Sequence, residues 1–146
     1  MSKFKKIFRI KSRDFLRAGE ASINIQNLLK SMDFDARLIR RVAICGYEGE
    51  MNVAMHGGDG SLCLEVDEDK LILELIDDGP GIEDIDLAMQ AGYSTARDDH
   101  REMGFGAGMG LPNMKKNSDQ LHIESNKSKG TIVQMVFFLP DVGKAD

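Results

Sequence analysis

The chain has 146 residues, of which 42% are hydrophobic and 29% charged, and its formal net charge at pH 7 is −5. This length fits one domain over residues 1–146, able to bury about two-thirds of the surface that the unfolded chain exposes. The acidic balance argues against nucleic-acid binding, and no apolar run approaches the roughly 20 residues that span a bilayer. The basic N-terminus lacks the apolar core of a secretory signal, so we expect a cytoplasmic protein without membrane attachment.

The two cysteines, Cys45 and Cys63, form neither a CxxC pair nor a pattern with nearby histidines. The sequence therefore predicts no disulfide framework and no zinc site. We interpret both thiols as small core side chains.

The N-terminal half predicts one strand and two helices. Residues 4–10 (FKKIFRI) alternate in polarity as an edge strand does. From Phe15 to Met32, apolar residues recur at three- and four-residue steps, which is typical of an amphipathic helix. A second helix is predicted from Leu38 to His56, ending at the glycine-rich run 57–60. Along one face of this helix, a stripe of side chains is apolar at the N-terminal end and polar at the C-terminal end.

The C-terminal half predicts two hairpins with helices and a loop between them. Its elements are strands over residues 61–66 and 71–77, a short helix over 83–91, a mobile loop over 92–107, a helix over 108–117, and strands over 119–125 and 131–139. Residues 140–146 are predicted to be a frayed tail. Antiparallel hairpins separated by helices favour an α+β two-layer sandwich, with a mixed, mostly antiparallel sheet and helices on one face.

An acidic and glycine-rich turn, DDGPGI over residues 77–82, ends the strand 71–77. A carboxylate such as Asp77 at the end of a buried strand needs a hydrogen-bond donor, and an adenine amino group is one. Gly79 and Gly81 would let the backbone approach a base or a ribose, and Ile82 could pack on the base. From this motif alone, an exposed β-turn without a ligand is an equally good interpretation.

A second glycine run, GFGAGMGLPNM, places Gly104, Gly106, Gly108 and Gly110 at alternate positions before a predicted helix. It lacks the GK[ST] ending of a P-loop, and no hydrophobic strand precedes it as in a dinucleotide-binding turn. Its backbone N–H groups and the helix dipole could still hold phosphates. Taken alone, a disordered surface loop explains the stretch equally well.

Glu48 and Asn52 lie four residues apart on the predicted second helix, so both side chains fall on one face. Polar residues usually form the solvated face of a helix, but these two share or border the stripe that contains Cys45 and Gly49. Asn52 could give a neutral oxygen to Mg²⁺, and Glu48 could be a base for attack on a γ-phosphate. Gly46 and Gly49 are poor helix formers, which indicates close approach of a backbone or a ligand.

Taken together, the motifs resemble the N, G1, G2 and terminal G-T boxes of the GHKL ATPase superfamily. They are Glu48-x-x-x-Asn52, Asp77-x-Gly79-x-Gly81-Ile82, Gly106-x-Gly108-x-Gly110-Leu111 and Lys129-Gly130-Thr131. The resemblance implies the Bergerat, or histidine kinase-like ATPase, fold. The chain length is similar to that of the small bacterial anti-sigma-factor serine/threonine kinases and switch kinases, and the run GFGAGMGLPNM is closer to the switch kinases.

The resemblance implies ATP and Mg²⁺ as cofactors and assigns roles by position. Asn52 would coordinate Mg²⁺, Glu48 would be the catalytic base, and Asp77 would bind adenine. Thr131 would support the adenine contact, and Arg17 matches an arginine near the partner surface. The remaining implied nucleotide contacts are Gly79, Gly81, Ile82, Gly104, Gly106, Gly108, Met109, Gly110 and Leu111.

The implied function is a protein serine/threonine kinase that phosphorylates a STAS-type anti-sigma antagonist in a bacterial partner-switching system. The alternative is an ATP-dependent binding module that sequesters a sigma factor or another regulator with little turnover. The resemblance also implies a homodimer. One departure from the family is Val53, which stands after Asn52 where alanine is usual.

Overall fold

The computed structural model describes residues 4–11, 17–56, 59–78, 110–126 and 130–139 of the chain. Within these ranges it contains five strands and three helices. In chain order they are β1 (Phe4–Ile10), α1 (Glu20–Ser31), α2 (Ala36–His56), β2 (Gly60–Val66), β3 (Lys70–Asp77), α3 (Gly110–Asn117), β4 (Gln120–Asn126) and β5 (Gly130–Phe138).

The predicted elements that fall in these ranges are confirmed, with one notable change at the first helix. Residues 17–19 form a turn rather than helix, and α1 begins at Glu20. Gly19 ends the turn with a φ of 101°, in the left-handed region that interrupts a helix. The predicted helix 83–91, loop 92–107 and tail 140–146 lie outside the described residues.

The strands form one sheet in the order β1-β2-β3-β5-β4, and all four pairings are antiparallel. The predicted α+β fold class is confirmed, but the sheet expected to be mixed contains no parallel pairing among the described strands. Two helices connect β1 to β2, so the chain turns three times between them: before α1, between α1 and α2, and after α2. An odd number of reversals returns β2 antiparallel to β1.

The hydrophobic core lies between the sheet and the three described helices, with α2 in contact with β2, β3 and β5. Alternate residues of β3 are Leu71, Leu73 and Leu75, each at most 2% exposed, and their neighbours on β2 and β5 are apolar as well. Side chains of a strand alternate between faces, so these residues line one side of the sheet. The opposite side carries half-exposed apolar residues such as Ile76 and Ile132. Helix α2 therefore covers one face, as predicted.

Two glycines bring α2 close to the sheet. A Cβ at Gly49 would lie 3.2 Å from Cδ2 of Leu75, and a Cβ at Gly46 would lie 3.8 Å from side-chain atoms of Leu62 and Leu73. The sequence indicated close approach of a backbone or a ligand at these positions. Gly49 instead faces Leu75 of the sheet, whereas Gly46 lies nearest to Ser22 of α1, whose Oγ would be 3.5 Å from a Cβ, with the two leucines of the sheet beyond it.

Both cysteines are buried and free, which confirms their interpretation as core residues. The Cys45 thiol donates to the carbonyl oxygen of Met114 on α3, with 3.6 Å between sulfur and oxygen. Burial raises the pKa of Cys45 to about 12, so the thiol stays protonated at neutral pH. No helix in the described ranges has the length and apolar character to cross a membrane.

The contacts of Gly46 and Gly49 predict different effects of alanine substitution on the free energy of unfolding. Gly46→Ala should raise the free energy of unfolding by up to about 1 kcal/mol, because alanine favours a helix interior and its methyl group makes ordinary contacts there. Gly49→Ala should gain less or lose stability, because Leu75 must shift by a few tenths of an ångström. Urea denaturation without nucleotide measures both. A Gly49→Ala variant more stable than Gly46→Ala would contradict this packing.

Candidate functional site

Several elements meet where β3 ends and α2 approaches its C-terminus. The position that a Cβ of Gly60 would occupy is 3.2 Å from Cβ of Asp77 and 3.2 Å from Cγ1 of Val53, so β2, β3 and α2 are in contact here. Thr131 of β5 is the Cα partner of Asp77 across the sheet. The site is built at this end of the sheet.

Asp77 and Thr131 lie side by side on the helix-facing side of the sheet. Asp77 continues the alternation of the buried leucines of β3, and Thr131 is 5% exposed. The Oγ atoms of Thr131 and Ser125 are 3.0 Å apart, which links β5 to β4 by a hydroxyl hydrogen bond. The carboxyl and hydroxyl predicted to serve adenine are therefore neighbours at the edge of the core.

The backbone conformation and the close neighbours of position 130 require a glycine before Thr131. Its φ of 85° lies in the left-handed region, and any Cβ at this position would collide with the backbone of Asp77 and Asp78. Only glycine tolerates both conditions. The Gly-Thr pair thus lets β5 begin directly against the end of β3.

Helix α3 packs antiparallel to α2, and Gly110 at its start lies against Asn52. A Cβ at Gly110 would be 3.0 Å from Oδ1 and 3.1 Å from Nδ2 of Asn52. One turn further along α3, Nδ2 of Asn113 donates to Oε2 of Glu48 at 3.0 Å. Both predicted functional residues of α2 therefore contact α3.

The C-terminal end of α3 is fixed by Arg41 of α2. Its Nε donates to the carbonyl oxygen of Asn117 at 3.0 Å, and its Nη2 pairs with Oδ1 of Asp119 at 2.9 Å. The guanidinium carbon also lies 5.6 Å from the ring centroid of Phe137, a cation–π distance. The register of α3 on α2 is thus set at both ends.

The half-buried Asn52 suits a hard cation, because Mg²⁺ takes oxygen ligands and shares them with substrate phosphates. Gly110 leaves room beside its amide where any other residue would place a side chain. No group of three histidine, cysteine or acidic side chains among the described residues is arranged to hold a metal. An ion at Asn52 would therefore also depend on the phosphates of a nucleotide.

The N-terminus of α3 can offer backbone N–H groups to those phosphates. The side chain of Leu111 is 7% exposed and belongs to the hydrophobic core. Leu111 therefore anchors α3, and only its backbone remains for a predicted nucleotide contact.

Glu50 is a structural residue that the sequence reasoning missed. It is 3% exposed and accepts hydrogen bonds from the backbone N–H of Ala21 at 3.2 Å, and from the N–H and hydroxyl of Ser22 at 3.1 and 2.9 Å. The carboxylate thus satisfies free N–H groups in the first turn of α1 and complements the helix dipole. The hydrophobic periodicity of the sequence does not indicate this role of Glu50, because the role depends on a contact between segments that are distant in the chain.

Arg17 is exposed and lies in the turn before α1, and the next residue, Ala18, packs on Met51 and Met55 of α2. Positions 48 and 50 are about 200° apart around a helix axis, so Glu50 and the start of α1 that it holds lie on the side of α2 away from Glu48. The structure brings Asp77 next to Thr131, and Asn52 next to Gly110 with Glu48 one turn along α2. The other predicted site residues lie outside the described ranges: Gly79, Gly81, Ile82, Gly104, Gly106, Gly108 and Met109.

The unusual Val53 is fully buried next to Asn52. Its Cγ1 fills the space beside Gly60, where a side chain is excluded by the carbonyl oxygen of Ile76. The departure from alanine is therefore accommodated by a glycine on the neighbouring strand.

A two-layer sandwich with a Glu–Asn helix turn facing the end of its sheet is the architecture of a histidine kinase-like ATPase domain. Comparison with known proteins agrees: the family model described as "Histidine kinase-, DNA gyrase B-, and HSP90-like ATPase" matches residues 35–142. The chain belongs to this family. The family resemblance in its sequence motifs is thereby confirmed.

Two individual relatives show which kinds of protein in this family the chain is similar to. The chain is 34% identical over 97 residues to an "Anti-sigma F factor" of Thermoanaerobacter sp. strain X514, a match that covers 63% of this chain and 64% of that protein. It is 30% identical over 118 residues to the "Serine/threonine-protein kinase RsbT" of Bacillus subtilis, covering 78% and 83%. The chain thus spans somewhat less than two-thirds of the first relative and most of the second.

A solved structure supports the fold alone. The "Mycobacterial sensor histidine kinase MprB" superposes with a TM-score of 0.54 at 13% sequence identity, covering 92% of this chain and 97% of that chain. At this identity the likeness concerns the architecture and not the activity.

Gly110 should be required for binding of Mg²⁺-ATP. We expect Gly110→Ala to weaken that affinity at least tenfold, about 1.4 kcal/mol, because the new methyl group displaces the amide of Asn52. Isothermal titration calorimetry measures this change, and Lys116→Ala on the exposed side of α3 is the control. Unchanged affinity in Gly110→Ala would show that the amide of Asn52 is not needed where the structure places it.

Glu50 should contribute strongly to stability. Glu50→Ala is expected to lower the free energy of unfolding by about 3 kcal/mol, because buried donors of Ala21 and Ser22 lose a charged acceptor. Glu124→Ala, which removes an exposed glutamate, should stay within about 0.5 kcal/mol. Chemical denaturation compares the two, and similar losses in both would contradict the assignment.

Proposed function

We propose that the chain is a Mg²⁺-ATP-dependent protein serine/threonine kinase whose substrate is a STAS-type anti-sigma antagonist of a bacterial partner-switching system. The observation that carries this proposal is the position of Glu48. Its carboxylate is held 3.0 Å from the amide nitrogen of Asn113 and lies one helical turn from Asn52. Membership of the ATPase family and the names of the relatives support it.

In the proposed reaction, Glu48 accepts the proton of a substrate serine or threonine hydroxyl. The hydroxyl oxygen forms a bond to the γ-phosphorus, and the bond from that phosphorus to the β–γ bridging oxygen breaks, which releases ADP. Mg²⁺ would supply positive charge against the phosphate oxygens. Asn52 would hold the ion through its amide oxygen, and the first N–H groups of α3 would donate to the phosphates.

The proposal gives Asp77 and Thr131 the recognition of adenine. Asp77 accepts a hydrogen bond from the exocyclic amino group of adenine, and the negative charge of the carboxylate strengthens that bond. The placement of Thr131 directly across the strand pair from Asp77 supports a shared role. Their removal should weaken binding of adenine nucleotides without altering the position of Glu48.

The proposed contact with a partner protein involves Arg17, which is exposed in the turn before α1. A guanidinium can bind a carboxylate of a partner in a bidentate manner. With these partners, the proposal also includes a cytoplasmic location for the chain. The homodimer implied by the resemblance stays a prediction.

Phosphoryl transfer tests the kinase directly. Purified protein is incubated with Mg²⁺-ATP and a panel of STAS-domain proteins from the same organism, and mass spectrometry locates any phosphate on serine or threonine. We expect Glu48→Gln to reduce transfer by about 10²- to 10⁴-fold, the usual contribution of a general base, while nucleotide still binds. The control is Glu124→Gln, which should transfer phosphate at the wild-type rate.

The alternative is an ATP-dependent binding module for a sigma factor or another regulator. Its support is the name "Anti-sigma F factor" of several relatives. This function predicts no phosphate on any partner, although ATP at a hundred times its dissociation constant raises stability by about 2.7 kcal/mol. ATP-dependent capture of a purified sigma factor without transfer would favour the module over the kinase.

A further inference from the structure

We infer that Asn113 is a positioning residue that orients the carboxylate of Glu48 for proton transfer; this inference rests on the proposed kinase function. Nδ2 of Asn113 donates to Oε2 of Glu48 at 3.0 Å, and the pair is partly buried. One carboxylate oxygen is thereby engaged by an amide. The other oxygen, Oε1, is left to accept the proton of the substrate hydroxyl.

An amide suits this position because it orients the carboxylate without neutralising it. A cation in the same place would form an ion pair and compete with the hydroxyl for the negative charge. A second carboxylate would repel Glu48. Asparagine is neutral and supplies a donor of fixed geometry, so the Glu48 side chain loses rotational freedom without gaining an ion-pair partner at this contact.

The register of α3 on α2 makes the contact specific. Moving backwards along α2, residues 52, 48, 45 and 41 meet residues 110, 113, 114 and 117 of α3 in order. The two outer contacts, Asn52 with Gly110 and Arg41 with Asn117, prevent α3 from sliding by a turn. The amide of Asn113 is consequently held at the height of Glu48.

Helix α3 also depends on these contacts for its own stability. It has eight residues, which is too short to be stable in isolation. Asn117 donates from its side chain to the carbonyl oxygen of Asn113 at 2.9 Å, within the same helix. Asn117 therefore offers a matched control: the same residue type in the same helix, bonded to the backbone and not to Glu48.

The test combines phosphoryl-transfer rates with nucleotide affinities of the full chain. A STAS-domain protein that the wild type phosphorylates serves as substrate under single-turnover conditions, and calorimetry gives the dissociation constant of Mg²⁺-ATP. We expect Asn113→Ala to slow transfer about tenfold and to change the dissociation constant by less than twofold. Asn113→Asp should slow transfer further, whereas Asn117→Ala should stay within twofold of wild type.

A double variant separates positioning from a general structural role. If Asn113 acts through Glu48, adding Asn113→Ala to Glu48→Gln should cause no further loss of rate. In thermal denaturation, Glu48→Gln should restore stability lost in Asn113→Asp, because glutamine can donate to the new carboxylate. This second measurement requires no kinase activity.

Each other outcome is decisive. Asn113→Ala with a wild-type or increased rate, beside an inactive Glu48→Gln, would overturn the inference and leave the proposed kinase intact. If the losses of transfer rate add in the double variant, or if they parallel a weaker binding of Mg²⁺-ATP, Asn113 has only a structural role. A wild type that phosphorylates no STAS-domain protein would overturn the proposed kinase, and the positioning role with it.

Discussion

The described fold depends on three consecutive residues of α2 that face three different partners. Glu48 contacts α3 through Asn113, Gly49 packs on Leu75 of the sheet, and Glu50 accepts hydrogen bonds from the start of α1. Successive residues of a helix are rotated by about 100°, so one turn can reach three directions. Because α2 is the common neighbour, a shift of this helix would change the sheet contact and both helix contacts together.

The turn before α1 is also held by α2. Met51 and Met55 form a buried cluster, and the partly buried Ala18 of the turn packs against it. Positions 48 and 55 are seven residues apart, which is within about 20° of the same direction around a helix axis. The turn that carries the exposed Arg17 therefore packs near the side of α2 that carries Glu48, whereas Glu50 holds the start of α1 from the other side.

The sequence predicted the architecture well because the helices and strands are amphipathic and their periods are distinct. The motifs also singled out Glu48, Asn52, Asp77 and Thr131; the structure places Asp77 beside Thr131 and sets Glu48 and Asn52 against α3, and their roles stay predictions. It did not predict the roles of Glu50 or Asn113, since each depends on a contact with a residue at least 28 positions away. The mixed sheet was expected from antiparallel hairpins separated by helices, but the three turns of the chain between β1 and β2 return β2 antiparallel to β1.

Val53 and Gly60 share one tightly filled space. The carbonyl oxygen of Ile76 excludes a side chain at position 60, and Cγ1 of Val53 occupies the space beside it. A Cβ at position 60 would also lie 3.2 Å from Cβ of Asp77, the residue with which Gly60 pairs across the sheet. Extra volume at either position would therefore push against Asp77 or against the turn of α2 that carries Asn52, so the sizes of these two residues are coupled to the geometry of both.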